Sequence, residues 1–197
     1  MKKTQENFLT IFSLEVQTIN FIARYDTIDE TERIGGNMIV VFEGIVMCFI
    51  LLMYCVVGIR NGAVGLVCLY EDDVQNRVVE LGLVTKKQIK KQFIISTIIL
   101  FVPLFTLVPY MVYGVNGVTD FTEGFIQMTI ILMILGFFDR FFIDWYWVGH
   151  TKSWIIPGTE DLRPYIPIKM LIIKWLGTLV GYPLIALLIA KVMTFIV

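Results

Sequence analysis

The chain is 197 residues long, 57% hydrophobic and 17% charged. Soluble domains hold about 45–50% apolar and about 25% charged residues, so an excess gathered into long runs marks a bilayer protein rather than a large soluble core. A formal net charge of −1 excludes the basic field that nucleic-acid binding requires.

Residues 1–37 read as an amphipathic N-terminal segment. In NFLTIFSLEVQTINFIARY (7–25), Phe8, Ile11, Phe12, Ile19 and Ile22 fall at roughly helical spacing, with Glu15, Gln17 and Asn20 interrupting them. Such a pattern suits a helix lying in the membrane interface better than one crossing it. The same polar residues argue against a cleavable signal peptide, although Lys2 and Lys3 begin like one.

Residues 38–197 read as a four-span membrane domain. Crossing a bilayer takes about 20 apolar residues. Spans are expected at about 38–59, with Glu43 as its one charge, at 93–113 with none, at 124–147, and at 171–195 with Lys191 near its end. The predicted class is therefore all-α: a polytopic four-transmembrane-helix bundle with both termini on one side.

Asn61-Gly62 should stop the first span. In the 60–92 connection, Asp72 or Asp73 is placed to cap a helix carrying Val74, Val78 and Leu81, Gly82 to end it, and Thr85 to cap a basic helix running into the second span. This forms a helical hairpin whose lysines suit anionic lipid head groups. Pro103, Pro109 and Pro183 lie within spans, where each removes a backbone donor and can kink its helix. Cys48, Cys55 and Cys68 form no CxxC pair and read as small buried hydrophobes. In the fourth span Gly177 and Gly181 form a GxxxG pair, continued by Ala186 and Ala190, which is a candidate contact within the chain, in a homo-oligomer or with a partner subunit.

Basic residues in flanking loops set orientation. The 60–92 connection holds Arg60, Arg77, Lys86, Lys87, Lys90 and Lys91, and the 148–174 region holds Lys152, Arg163, Lys169 and Lys174, whereas GVNGVTDFT (114–122) holds none. Loops 60–92 and 148–170 are therefore expected to be cytoplasmic and both termini outside. The basic residues Lys2, Lys3, Arg24 and Arg33 of the N-terminal segment pull the other way.

The strongest pointer to function is the end of the third span. Asp139, Arg140 and Asp144 stand at membrane depth, followed by the only histidine, His150, and by TKSWIIPGTEDLRPYIP. Ionisable groups there are costly unless protein or water shields them. Arg140 and Asp144, four apart, can pair on one helical face, while on an ideal α-helix Asp139 points about 140° from Asp144. Pro157-Gly158 suits a tight turn, and Thr159 with Glu160 and Asp161 can start a short helical turn. Trp145, Tyr146, Trp147, Trp154, Tyr165 and Trp175 read as an interfacial aromatic belt or as part of a stacking pocket. Candidate ligand-binding residues are Asp139, Arg140, Asp144, His150, Lys152, Trp154, Glu160, Asp161 and Arg163. A lone histidine with carboxylates, and with no HxxxH, HExxH or ExxH pair, gives no recognisable metal motif.

The run WVGHTKSWIIPGTEDLRPY (147–165), with DVQNRVVELGLVT (73–85), resembles a signature of a group of small uncharacterised bacterial multi-pass membrane proteins. That resemblance implies no activity, cofactor or residue role. Three functions compete on the residues alone. The first is a polar site for an ion, small polar solute or lipid head group, in transport or in a membrane assembly. The second is a membrane-embedded enzyme using His150 as acid/base with Glu160 or Asp161. The third is a scaffold binding helices through Gly177 and Gly181.

Overall fold

The computed structural model describes Gly36 and residues 38–196. The amphipathic helix expected over 7–25 lies outside the described residues. Those that are described form helices and turns without a strand. Four helices are long and apolar enough to cross a membrane: α1 (Met38–Gly58), α3 (Lys86–Val115), α4 (Phe121–Val148) and α5 (Ile168–Met193). By length and composition this is a multi-pass membrane protein.

The first connection is more buried than its charge implies. After α1 the chain turns through Gly62, whose φ of 102° suits the Asn-Gly turn expected there. It then forms a 3₁₀ helix, Ala63–Leu69, in which Val67 is fully buried. Gly65 is required beside the end of α1, because a Cβ on it would come within 2.1 Å of the Gly58 carbonyl oxygen. The short helix α2 (Asp72–Glu80) follows. Its N-cap is Glu71 rather than Asp72 or Asp73, and the Asp73 carboxylate accepts from the neighbouring Val74 N–H. Val74 and Val78 are buried as expected, but Leu81 is exposed, because the helix ends at Glu80. At that end the Leu83 N–H returns to Val78 O and the Gly82 N–H to Val79 O, with Gly82 at φ 70°, which is the Schellman closure. Thr85 then caps α3 in a full capping box with Gln88.

Each long helix after α1 contains a stretch of π-helix: Tyr110–Val115, Asp139–Val148 and Gly177–Gly181. Two of these adjoin prolines. Pro109 immediately precedes the first, and Pro183, with no N–H to return one turn back, follows the third. The middle stretch contains no proline and carries the charged residues.

The α4 and α5 helices pack closely, and Gly136 makes the approach tight. A Cβ there would lie 2.5 Å from Thr178 Cγ2 and 2.7 Å from Tyr182 Cε2. Around them Met128, Ile131 and Leu132 of α4, Val108 and Val112 of α3, and Ala186 and Ala190 of α5 form a fully buried apolar core. A second core joins the two longer connections: Val67, Val74 and Val78 pack with Trp154, Ile156 and Tyr165. Tyr70 Oη donates to Trp154 O at 2.6 Å, and Arg77 pairs with Asp161 at 3.2 Å. The 59–85 and 149–167 connections thus lie at one end of the helices. The 116–120 turn lies at the other, where Asn116 Nδ2 donates to Glu43 Oε2 at 3.1 Å and to Gln127 Oε1 at 2.9 Å.

Candidate functional site

The π-helical stretch of α4 builds the site. Its backbone pairs each residue with the one five positions on, so residues five apart stand nearly above one another. Asp139 and Asp144, which diverge on an α-helix, are thereby brought onto the same guanidinium. Arg140 pairs with Asp139 and with Asp144 at once. Lys174, from the second turn of α5, donates to Asp144 Oδ1 at 2.8 Å. The result is two carboxylates and two cations in alternation, with no net formal charge. Arg140 is 8% exposed and Asp144 6%. Burying charges in this way is tolerated because each has an opposite partner within reach.

The cluster leaves donors over. Arg140 Nε is buried without a hydrogen-bond partner among the described residues. Lys174, about one third exposed, carries three N–H donors, of which one is used on Asp144. On the acceptor side Arg140 ion-pairs with Oδ2 of both aspartates and Lys174 takes Oδ1 of Asp144, which leaves Asp139 Oδ1 without a cation among the described residues.

Three cavities meet at these residues. One of about 380 Å³ lies among α1, α3, α4 and α5, with Asp139, Arg140 and Lys174 at its polar end and Met47, Leu104 and Ile185 among its apolar walls. A second, of about 210 Å³, shares Asp139 and Lys174 with it and is also lined by Tyr54, Cys55, Tyr70, Asp144, Trp154 and Tyr165. A third, of about 160 Å³, joins Asp144 and Tyr165 to His150 and Arg163.

The nine expected site residues therefore divide. Asp139, Arg140 and Asp144 form the cluster. Trp154 is buried at its edge: its ring meets Trp147 edge-on at 5.4 Å, and its indole N–H is unpaired among the described residues. His150 and Arg163 border the smallest cavity with Asp144. There His150 Nδ1 lies 2.6 Å from Trp145 O, and Arg163 Nη2 donates to Gly149 O at 3.3 Å. Glu160 and Asp161 are engaged elsewhere, Glu160 accepting from the Gly158 N–H at 2.8 Å and Asp161 holding Arg77. Lys152 is exposed. Among the described residues no three His, Cys, Asp or Glu side chains are grouped to hold a metal ion.

The loop that frames the site is ordered by its own hydrogen bonds. Pro157-Gly158 makes the expected turn, with Thr159 N–H returning to Ile156 O at 3.1 Å and Gly158 at φ 86°. Thr159 precedes the 3₁₀ turn Glu160–Leu162 but does not cap it through its side chain. Its buried hydroxyl instead donates to Ile156 O at 2.8 Å and meets Tyr165 Oη at 2.9 Å. Burial pushes the Tyr70 phenol and the Cys68 thiol up from their ordinary ranges, so both are neutral donors at neutral pH.

Lys174, Tyr54, Tyr70, Thr178 and Tyr182 belong to the site or its cavities and escaped the sequence reading. Lys174 falls within the span expected at 171–195, but from the sequence it counts only as one of the basic residues that set orientation. The tyrosines carry no spacing signal. No protein-family model matches the chain, and no curated protein or solved structure matches it either.

Proposed function

We propose that this is a non-enzymatic membrane protein whose Asp139–Arg140–Asp144–Lys174 cluster binds an ion, a small polar solute or a lipid head group, in transport or as a subunit of a membrane assembly. One observation carries the reading. A nine-tenths buried arginine lines a cavity with its Nε unpaired among the described residues, although two carboxylates stand beside it. An unpaired buried donor costs about 1–3 kcal/mol, and a ligand oxygen would remove that cost. In this reading the four helices cross as a bundle, and the end holding the cluster is cytoplasmic. The basic residues of the 60–92 and 148–174 regions support that orientation. The termini then lie outside, and a reporter fused after Val197 that is active only in the cytoplasm reverses it.

The site is tested by the melting temperature of the purified full chain against alkali cations, inorganic phosphate, carboxylates and solubilised phospholipids. At least one should stabilise the native protein and have no effect on the folded double variant Arg140→Gln/Asp144→Asn. If none stabilises the native protein, or the variant responds equally, the cluster is only a structural ion network.

A further inference from the structure

The largest of the three cavities differs from the others in where it opens. Its rim includes Ile99 and Phe101 of α3 and Gly177 of α5, all exposed, so it opens sideways on an apolar flank of the helices rather than at their ends. Gly177 and Gly181 both line it, and a Cβ at either position would have nothing within 4 Å. Among the described residues the GxxxG pair therefore makes no close helix contact; its missing side chains widen the mouth. The close contact with α4 is made instead by Thr178, Tyr182, Ala186 and Ala190.

The inner end of the same cavity is polar and holds unused donors. Among the described residues Arg140 Nε has no hydrogen-bond partner and Lys174 Nζ has donors to spare, while each carboxylate already has at least one cation against it. An occupant that satisfies these donors supplies oxygen acceptors at one end and hydrocarbon along the rest. From Lys174 to Ile185 the cavity follows eleven residues of α5, about 16 Å at helical rise. Its volume falls within the roughly 300–1,000 Å³ of small-molecule sites.

Resting on the binding-site reading above, we propose that this cavity holds a single-chain amphiphile with an oxyanion head group, carboxylate or phosphate. The amphiphile is drawn from the bilayer through the Gly177/Gly181 mouth, and its head is received by Lys174 and Arg140. The cluster is neutral before the head arrives, so recognition depends on directed donors rather than on net field. Charge-assisted hydrogen bonds are roughly twice as strong as neutral ones, which favours an oxyanion over a hydroxyl head.

The test is equilibrium binding of myristate, tetradecyl phosphate, tetradecanol and tetradecyltrimethylammonium to the full chain in detergent. Myristate and the alkyl phosphate should compete for one site, bind about tenfold tighter than the alcohol, and leave the trimethylammonium compound behind both. Their ratio to each other shows which head the site prefers. Lys174→Gln should weaken the two oxyanions about tenfold and leave the alcohol unchanged. Gly177→Leu with Gly181→Leu, substitutions into open space, should weaken all of them about tenfold or more without lowering the melting temperature. Equal binding of alcohol and oxyanions, or indifference to Lys174→Gln, overturns the head-group assignment. Unchanged binding in the glycine variant overturns the cavity. A native dimer that the glycine variant dissociates, with no amphiphile bound, makes the face a subunit interface and also overturns it. If no amphiphile binds but an ion or inorganic phosphate still stabilises the protein in an Arg140- and Asp144-dependent way, this inference fails and the polar-site reading stands.

Discussion

The two polar ends of the helices solve the same problem with different chemistry. At one end Glu43, 5% exposed, is met by the Asn116 amide, which also reaches Gln127, and Gln127 in turn donates to Glu123 at 3.1 Å. At the other end, four formal charges face one another around Arg140 and border three cavities. Gln127 and Asp139 stand twelve positions apart on α4, about 18 Å of helix, and the inward side chains Met128, Ile131 and Leu132 between them are fully buried. A carboxylate served by amides can be neutral or charged at modest cost. Charges packed against one another depend on every partner. The amide end therefore reads as a closure of the bundle, and the charged end as the place where a ligand can matter.

Removing Arg140 gives the largest effect that follows from this contrast. Arg140→Gln leaves Asp139 and Asp144 without their shared partner and should cost about 3–5 kcal/mol of stability. Adding Asp139→Asn and Asp144→Asn should recover most of it, as read by denaturant or thermal unfolding in one detergent. A single variant as stable as the native protein would remove the distinction between the two ends. Gly136→Ala acts just outside the charged end, forcing α4 from Thr178 and Tyr182. It should cost about 1–3 kcal/mol, and unchanged stability would mean that the α4–α5 approach is looser than described. Glu43→Gln should cost within about 1 kcal/mol, because the amide oxygen still accepts from Asn116. A loss as large as that of Arg140→Gln would make the two ends equivalent. Smallest of all, Arg77→Ala removes an exposed pair with Asp161 and should cost about 0–1 kcal/mol, measured by the same unfolding midpoint.

What the sequence made legible was local. The four apolar runs, the Asn61-Gly62 turn, the Thr85 cap, the Gly82 stop, the Pro157-Gly158 turn and the Arg140–Asp144 pairing each follow from residue type and short-range spacing. Three features did not. The juxtaposition of Asp139 with Asp144 depends on a π-helical stretch that no proline or glycine announces within Asp139–Val148. Trp154 and Tyr165 read as belt residues, but they are buried because the apolar Ala63–Leu69 segment, distant in sequence, folds under them. Trp145 and Tyr146 do face outward, as a belt requires. The GxxxG pair carries the spacing of a helix contact, yet its role depends on what stands opposite, and among the described residues nothing stands there. Helix-period reasoning assumes 3.6 residues per turn, so it fails wherever the backbone leaves that period, and here that is where the charges are.

The most direct test of the account is a structure of the full chain in a lipid bilayer, resolved well enough to show side chains around Arg140. The account predicts elongated non-protein density running from the Gly177/Gly181 mouth to Lys174 Nζ, with an oxygen within hydrogen-bonding distance of Arg140 Nε. Arg140 Nε bonded to a protein acceptor, in a cavity closed by side chains of α3 and α5, would contradict it.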